Sequence, residues 1–364
     1  MKALMEIRRP RDVFDYAQGS NVEAAITFLK PNKLRMSIAL LGVLLFAVSL
    51  WQLKKSRSGL VIESGSRSGL PYEIIHLENF GSGKRPLVLV AHGLAGSGTI
   101  MKGMALKFAH AGYVVVTWDF DGHAGNPQPM QEDIYSPWLL DNVETVLVAV
   151  SEYEQIDTSR VAIVGHSMGT AAALRFGQTH PATQATIAIS PVRTPVTPEL
   201  PKNLLLMAGQ LEPDFVENAR NRLAEAGGVG GDLASGSARD FQIIPGVEHI
   251  SILFAPATHA RALSWLDSTF GIQEGAKPYI DRRLLWFVLV VMGTLVLAST
   301  VIPRHTIILP GKHMAFHRRI LIMLGSAVSA TLLLWLAGLM GLPLNTLFGI
   351  RAGGYLILWF LVAA

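Results

Sequence analysis

The residues Gly165-His166-Ser167-Met168-Gly169 hold a serine hydroxyl in the pattern G-x-S-x-G. The bare pattern is weak evidence by itself; its setting is what points to chemistry. A strand-like run, Arg160–Val164, leads directly into it, and a helix-like stretch, Thr170–Thr179, leaves it. A strand-to-helix elbow of this kind lifts a serine Oγ out at the carboxyl end of a sheet, where it can act as a nucleophile. Gly165 and Gly169 suit the sharp turn, because side chains there would collide with the neighbouring strand and helix.

A serine hydroxyl attacks a carbonyl only when a base takes its proton. His249, in Pro245-Gly246-Val247-Glu248-His249, follows the last strand-like run, Phe241–Ile244, where such a base is expected. The other histidines fit less well. His76 lies in an N-terminal strand, His110 and His180 at helix ends, and His259 inside the last helix, while His166 within the elbow reads as structural. The imidazole in turn needs a carboxylate to fix its tautomer. The order serine, acid, histidine places that acid in the loop Ala208–Asp214. Two residues there qualify: Glu212, nearer the strand end, and Asp214 as the alternative. Asp240 reads as a solvated strand-edge charge.

The oxyanion of a tetrahedral intermediate calls for backbone N–H donors. Met168 N–H comes with the elbow. Leu94 N–H comes from the loop His92-Gly93-Leu94-Ala95-Gly96-Ser97-Gly98, where Gly93 lets the backbone approach a ligand. A phosphate-binding reading of this loop lacks both the Lys-Ser/Thr ending and the G-x-G-x-x-G spacing. Gly81-Ser82-Gly83-Lys84 likewise reads as a turn.

These residues need a frame. From about Tyr72 onward, short apolar runs alternate with helical periodicity. Pro86–Ala91, Tyr113–Trp118, Arg160–Val164, Thr186–Ile189, Asn203–Ala208 and Phe241–Ile244 read as strands. Met101–Ala111, Trp138–Tyr153, Met168–Thr179, Phe215–Ala226 and Pro256–Phe270 read as the helices between them. That alternation predicts an α/β domain with a mostly parallel sheet and helices on both faces.

The 364-residue chain is 50 % hydrophobic and 16 % charged, which fits neither a wholly soluble globule nor a disordered chain. Its net charge of +4, with no basic run interleaved with aromatics, gives no indication of nucleic acid. No cysteine is present, which excludes disulfide frameworks, cysteine-ligated zinc and thiol nucleophiles. The apolar excess lies outside the α/β region. Met36–Leu53 is free of charge and predicts an uncleaved transmembrane anchor after a tail over 1–35. Leu284–Ile302 and Ile320–Leu342 are two further predicted spans, and 344–364 could form a third if it accommodates Arg351. The ending Leu-Val-Ala-Ala has no polar tail, so the last span is either short and tilted or truncated. Residues 54–70, rich in serine and glycine, read as a linker, and 71–272 as the α/β domain.

Over Ser56–Gly271 the chain resembles the α/β-hydrolase family. The resemblance rests on five segments in the family's order and spacing: the His92-Gly93 loop, Asp119-Phe120-Asp121-Gly122-His123-Ala124-Gly125, the elbow, the Gly209–Glu212 loop and the Pro245–His249 loop. Ala124 and Asn126 depart from the family's D-x-x-G-H-G-x-S turn, and Glu212 stands where an aspartate is commoner. The resemblance implies a serine esterase or lipase-like enzyme, and no metal or organic cofactor. Only Pro191–Lys202 separates two successive strands, too little for a helical cap. The site is therefore expected to be open, as in the dienelactone-hydrolase-like and cutinase-like branches. Two loops could shape it: Asn126–Pro137, with Met130, Tyr135 and Trp138, and the Gly-rich Gly227–Ala238.

The expected partners are a small-molecule or lipid ester and the bilayer. Basic residues counted over the whole N-terminal tail favour an extracytoplasmic domain, periplasmic in a bacterial cell; those close to the spans are near parity. An acyltransferase would keep the same three side chains, whereas a non-catalytic binding domain would usually lose one of them. A transporter reading finds no buried carboxylate or histidine in the C-terminal spans.

Overall fold

The computed structural model describes residues 33–79, 83–301, 316–340, 342 and 353–363. The chain divides into two units. One comprises Lys54–Leu284; the other combines the segments up to Leu53 and from Leu285 onward.

The first unit is built on one eight-stranded sheet: β1 (Leu60–Arg67), β2 (Leu70–Leu77), β3 (Arg85–Ala91), β4 (Val114–Trp118), β5 (Ile156–His166), β6 (Thr183–Ile189), β7 (Leu204–Gly209) and β8 (Arg239–Ile244). Their spatial order is β1-β2-β4-β3-β5-β6-β7-β8. β2 runs antiparallel to both β1 and β4, and all other pairs are parallel. The alternation of side chains along a strand explains the layering. On β3, Val88 and Val90 face one core with Met101, Phe108 and Trp265, while Leu87, Leu89 and Ala91 face another with Trp138, Val143 and Phe176. Helices α2 (Gly98–His110) and α6 (Pro256–Phe270) thus cover one face. Helices α3 (Trp138–Val150), α4 (Met168–Thr179) and α5 (Pro213–Glu225) cover the other.

The chain leaves β3 toward β4 on one side and returns through β5 on the other, so the strand order reverses between β3 and β5. In open α/β sheets the crevice at such a switch point, at the strands' carboxyl ends, is where ligands bind. The loop after β3 and the elbow after β5 meet there.

Residues 60–67, read above as part of a linker, form β1 instead. It pairs with β2 through a tight turn whose two central residues, Ser68 and Gly69, have φ of 52° and 82°. Both signs match the primed turn that suits the twist of a two-stranded ribbon. Gly65 lies opposite Tyr72, and a Cβ on it would sit 2.4 Å from the tyrosine ring, so the aromatic ring covers the bare glycine. The Ser/Gly composition that suggests a linker is thus that of a half-exposed edge strand.

The second unit contains α1 (Lys33–Lys55), α7 (Arg283–Val301, its first two residues in the first unit), α8 (Phe316–Leu339) and α9 (Gly353–Ala363). Three of these, α1, α7 and α8, are long and apolar enough to cross a membrane. Helices α1 and α7 pack through small residues: a Cβ on Gly42 would lie 2.9 Å from Leu297, and one on Gly293 equally close to the backbone nitrogen of Phe46. Such close approach is what glycine, having no side chain, permits between packed helices. Arg35 Nε donates to the carbonyl of Thr300 at 2.6 Å, and Trp359 Nε1 on α9 donates to Thr331 Oγ1 on α8 at 2.9 Å. Most of the N-terminal tail, residues 344–352 with Arg351, and the turn residues Gly81 and Ser82 lie outside the described residues.

Candidate active site

Ser167 sits between β5 and α4 with φ 51° and ψ −120°, a backbone conformation that costs a non-glycine residue about 1–3 kcal/mol. The surroundings hold it there. Its N–H donates to Ile189 O at 2.9 Å, while Thr170 donates to Ser167 O through both N–H (2.8 Å) and Oγ1 (2.6 Å). The flanking glycines are obligatory. A Cβ on Gly165 would lie 2.4 Å from Gly169 O, and one on Gly169 would lie 2.6 Å from the carbonyl oxygens of Ala91 and His92.

His249 Nε2 lies 2.9 Å from Ser167 Oγ, and His249 Nδ1 lies 2.8 Å from Glu212 Oε2. A carboxylate only accepts, so Nδ1 carries the proton and the Nε2 lone pair faces the serine hydroxyl. The Glu212 side chain is only 5 % exposed, whereas that of His249 is 29 % exposed. The acid is thus sealed and the base open to an incoming molecule. The loops carrying them are laced together: Gln210 N–H donates to Ile244 O (2.9 Å), Leu211 N–H to Val247 O (3.0 Å) and Gly246 N–H to Gln210 Oε1 (3.0 Å). Glu248 caps the turn after His249 by accepting from the N–H groups of Ile250 and Ser251, and those bonds hold its carboxyl below the usual range.

Of the two carboxylates left open by the sequence, Glu212 is the one brought to His249. Asp214, two residues into the start of α5, is exposed and lines a separate polar cleft with Arg193 and Glu217. Asp240 pairs with Arg261.

Two rings flank His249: His166 from the elbow, read above as structural, and Phe215, which no motif marks. Phe215 stacks on the His249 ring with centroids 4.2 Å apart, and His166 lies on another side at 4.8 Å. His166 Nε2 donates to the carbonyl of His249 at 2.9 Å. Burial, aided by the nearby His249 ring, pushes the His166 pKa down to about 4, so it donates as a neutral imidazole.

Met168 N–H is at the first residue of α4, where no carbonyl of its own helix can reach it. Gly93 approaches the elbow closely: a Cβ there would lie 2.9 Å from His166 Nδ1 and 3.0 Å from Ser167 Cβ. Leu94 follows in an exposed turn. Ser167, His249 and Glu212, all named in the sequence, are thus joined by hydrogen bonds, with Gly93 and Met168 beside the serine.

The 119–125 turn accounts for its two departures from the family pattern. Asn126 Nδ2 donates to Asp119 O and Asp121 Oδ1, each at 2.9 Å, closing the turn from its own side. Ala124 adopts φ 44°, where the family pattern has glycine. Asp119 receives Gly98 N–H at 2.8 Å and Gly125 N–H at 3.0 Å, tying the turn to the start of α2. Trp138, considered above as a pocket residue, is buried in the core under α3. Gly227–Ala238 lies before β8, away from the strands' carboxyl ends; its Leu233 packs on the core and Gly230 bridges to Arg239.

A protein-family model described as serine aminopeptidase, S33, matches residues 82–226, from the approach to β3 through α5. The span includes Ser167 and Glu212 and stops before His249. With the eight-stranded order and the elbow, this decides the architecture. The fold is that of the α/β-hydrolases. Uncharacterized proteins of Mycobacterium tuberculosis and Mycobacterium bovis are 31 % identical over 100 residues, 28 % of this chain and 27 % of theirs. The chain thus aligns with about a quarter of the length of these curated relatives. A solved structure described as a predicted CIB-like hydrolase from Thermoplasma acidophilum is 15 % identical, with a TM-score of 0.44, over 57 % of this chain and 98 % of that one. The family match supports a hydrolase.

Proposed function

We propose that this α/β-hydrolase is a membrane-anchored serine esterase that cleaves carboxylic, including lipidic, esters through an acyl-enzyme. The observation that carries the reading is the unbroken chain Ser167 Oγ, His249 Nε2, His249 Nδ1, Glu212 Oε2. Ser167 Oγ attacks the acyl carbon and its proton passes to His249 Nε2. The carbonyl oxygen becomes an oxyanion held by the N–H groups of Leu94 and Met168. Collapse breaks the bond to the alcohol, which takes the proton from Nε2 and leaves. Water then gives a proton to Nε2 and attacks the acyl-serine, releasing the acid as Ser167 regains its proton. Throughout, Glu212 keeps Nδ1 protonated and offsets the imidazolium charge.

Exposed apolar residues beside the site residues support the ester class. Leu94, Leu211 and Ile250 are 55 %, 61 % and 47 % exposed, and each is adjacent in the chain to Gly93, Glu212 or His249. Exposed apolar side chains next in the chain to site residues suit an acyl chain better than a charged peptide terminus. The three long apolar helices fit a membrane anchor, and we place the hydrolase domain on the extracytoplasmic side.

The test is turnover by the purified full chain of p-nitrophenyl esters of short and long acyl groups, a monoacylglycerol and aminoacyl anilides. Ester turnover that disappears in Ser167→Ala is expected; cleavage of the anilides alone would overturn the ester reading. A periplasm-active reporter fused after Gly271 should be active, and an inactive fusion would reverse the orientation.

A further inference from the structure

We propose that Ser190 is a positioning residue for Glu212, and that its hydroxyl is what allows a glutamate to serve as the acid of this site. The inference rests on the esterase reading above. Ser190 follows the last residue of β6 and is fully buried. Its N–H donates to Met207 O at 2.7 Å, and its Oγ donates to Glu212 Oε1 at 2.6 Å. Gly209 N–H donates to the same oxygen. Glu212 Oε2 is left facing His249 Nδ1.

Two features set this hydroxyl apart from an ordinary buried serine. Ser190 has φ 52°, a left-handed conformation that a glycine would adopt without strain. The strained backbone is thus occupied by the residue type that can donate to the carboxylate. Secondly, glutamate has one more rotatable bond than aspartate, and an ordered carboxylate must pay for that freedom. Two donors on Oε1 fix the plane of the carboxyl group and so aim Oε2 at the imidazole. No part of Ser190 touches the serine nucleophile or the crevice in the contacts described, so its effect on turnover passes through Glu212.

The experiment uses the full-length protein in detergent and a p-nitrophenyl ester, with active sites counted by a fluorophosphonate. Ser190→Gly relieves the positive φ while removing the hydroxyl, and Ser190→Ala removes the hydroxyl alone. Both are expected to lower kcat per titrated site by about 10- to 100-fold, the range of a hydrogen bond to a charged group, with KM within about twofold. The glycine variant should melt no lower than wild type. In a Glu212→Ala background the Ser190 substitutions should change the residual rate no further, because residues acting through one another are not additive. An unchanged kcat per site in Ser190→Gly, or a full additional loss in the Glu212→Ala background, overturns the positioning role while leaving the esterase reading intact. A wild type that neither turns over the ester nor takes the label overturns both.

Discussion

His92 Nδ1 lies 2.8 Å from the carbonyl oxygen of Gly93, the residue that follows it. Phe120 N–H donates to the other ring nitrogen at 2.9 Å, so Nδ1 holds the only proton of a neutral ring and donates it to Gly93. In a planar trans peptide the C=O of Gly93 and the N–H of Leu94 point in opposite directions. By gripping the first, His92 sets the direction of the second. Gly96 N–H, at 3.0 Å from the same oxygen, completes the grip. Replacing His92 with Leu frees this peptide and removes the acceptor of Phe120 N–H. We expect kcat to fall by about 10²-fold, as for the loss of one oxyanion donor, with a smaller change in KM. Steady-state kinetics on a p-nitrophenyl ester checks this.

Buried neutral histidines also set the response to acid. Burial pushes the pKa values of His92 and His166 down to about 4, from 6.5 in an unfolded chain. Between those values the unfolded state binds protons that the folded state refuses. Their contribution to stability is therefore complete above about pH 6.5 and is lost as pH falls toward 4, at up to about 1.4 kcal/mol per pH unit for each. His259, whose pKa burial also lowers, adds in the same direction. Thermal unfolding of the full chain in detergent should show the melting temperature dropping across this window; a flat profile would contradict neutral, buried rings.

The acid assignment separates two carboxylates in one loop. Glu212→Gln keeps the shape but no longer favours the tautomer that presents the Nε2 lone pair to Ser167. Its kcat should fall by about 10⁴-fold. Asp214→Asn, on the exposed cleft, should leave kcat within about twofold, as surface substitutions usually do. Comparable losses in both variants would mean that Asp214 acts on the imidazole.

The glycines around the nucleophile differ in what they protect. A Cβ on Gly169 meets the backbone oxygens of Ala91 and His92, which cannot swing aside as a side chain can. Gly169→Ala should cost about 1–3 kcal/mol or more of stability, read from the melting temperature. Gly93→Ala meets His166 and Ser167 side-chain atoms instead and should cost more in kcat than in stability. The reverse ranking would mean that the loop after β3 does not approach the nucleophile.

What could be read from the residues follows from locality. The elbow, His249 and the central strands announce themselves because each depends on neighbours in the chain: apolar runs, glycines and a histidine directly after a strand. Glu212 is favoured over Asp214 by its nearness to the end of β7, but both stay open in the sequence because they lie only two residues apart where α5 begins. Ser190 and Phe215 reach the site only through the packing of β6 and α5 beside the β8 loop, so no spacing marks them. β1 hides because an edge strand with one side exposed tolerates serine and glycine. Trp138 misleads for the opposite reason: a large aromatic near a loop is as often core as pocket lining.

The central claim is that Ser167 is an activated nucleophile. The most direct measurement is reaction of the full-length protein in its membrane with a fluorophosphonate, followed by mass spectrometry of the labelled peptide. One adduct on Ser167 is expected in the wild type, none in Ser167→Ala and strongly slowed labelling in His249→Ala. A folded wild type that takes no label, or one labelled at another serine, would contradict the account.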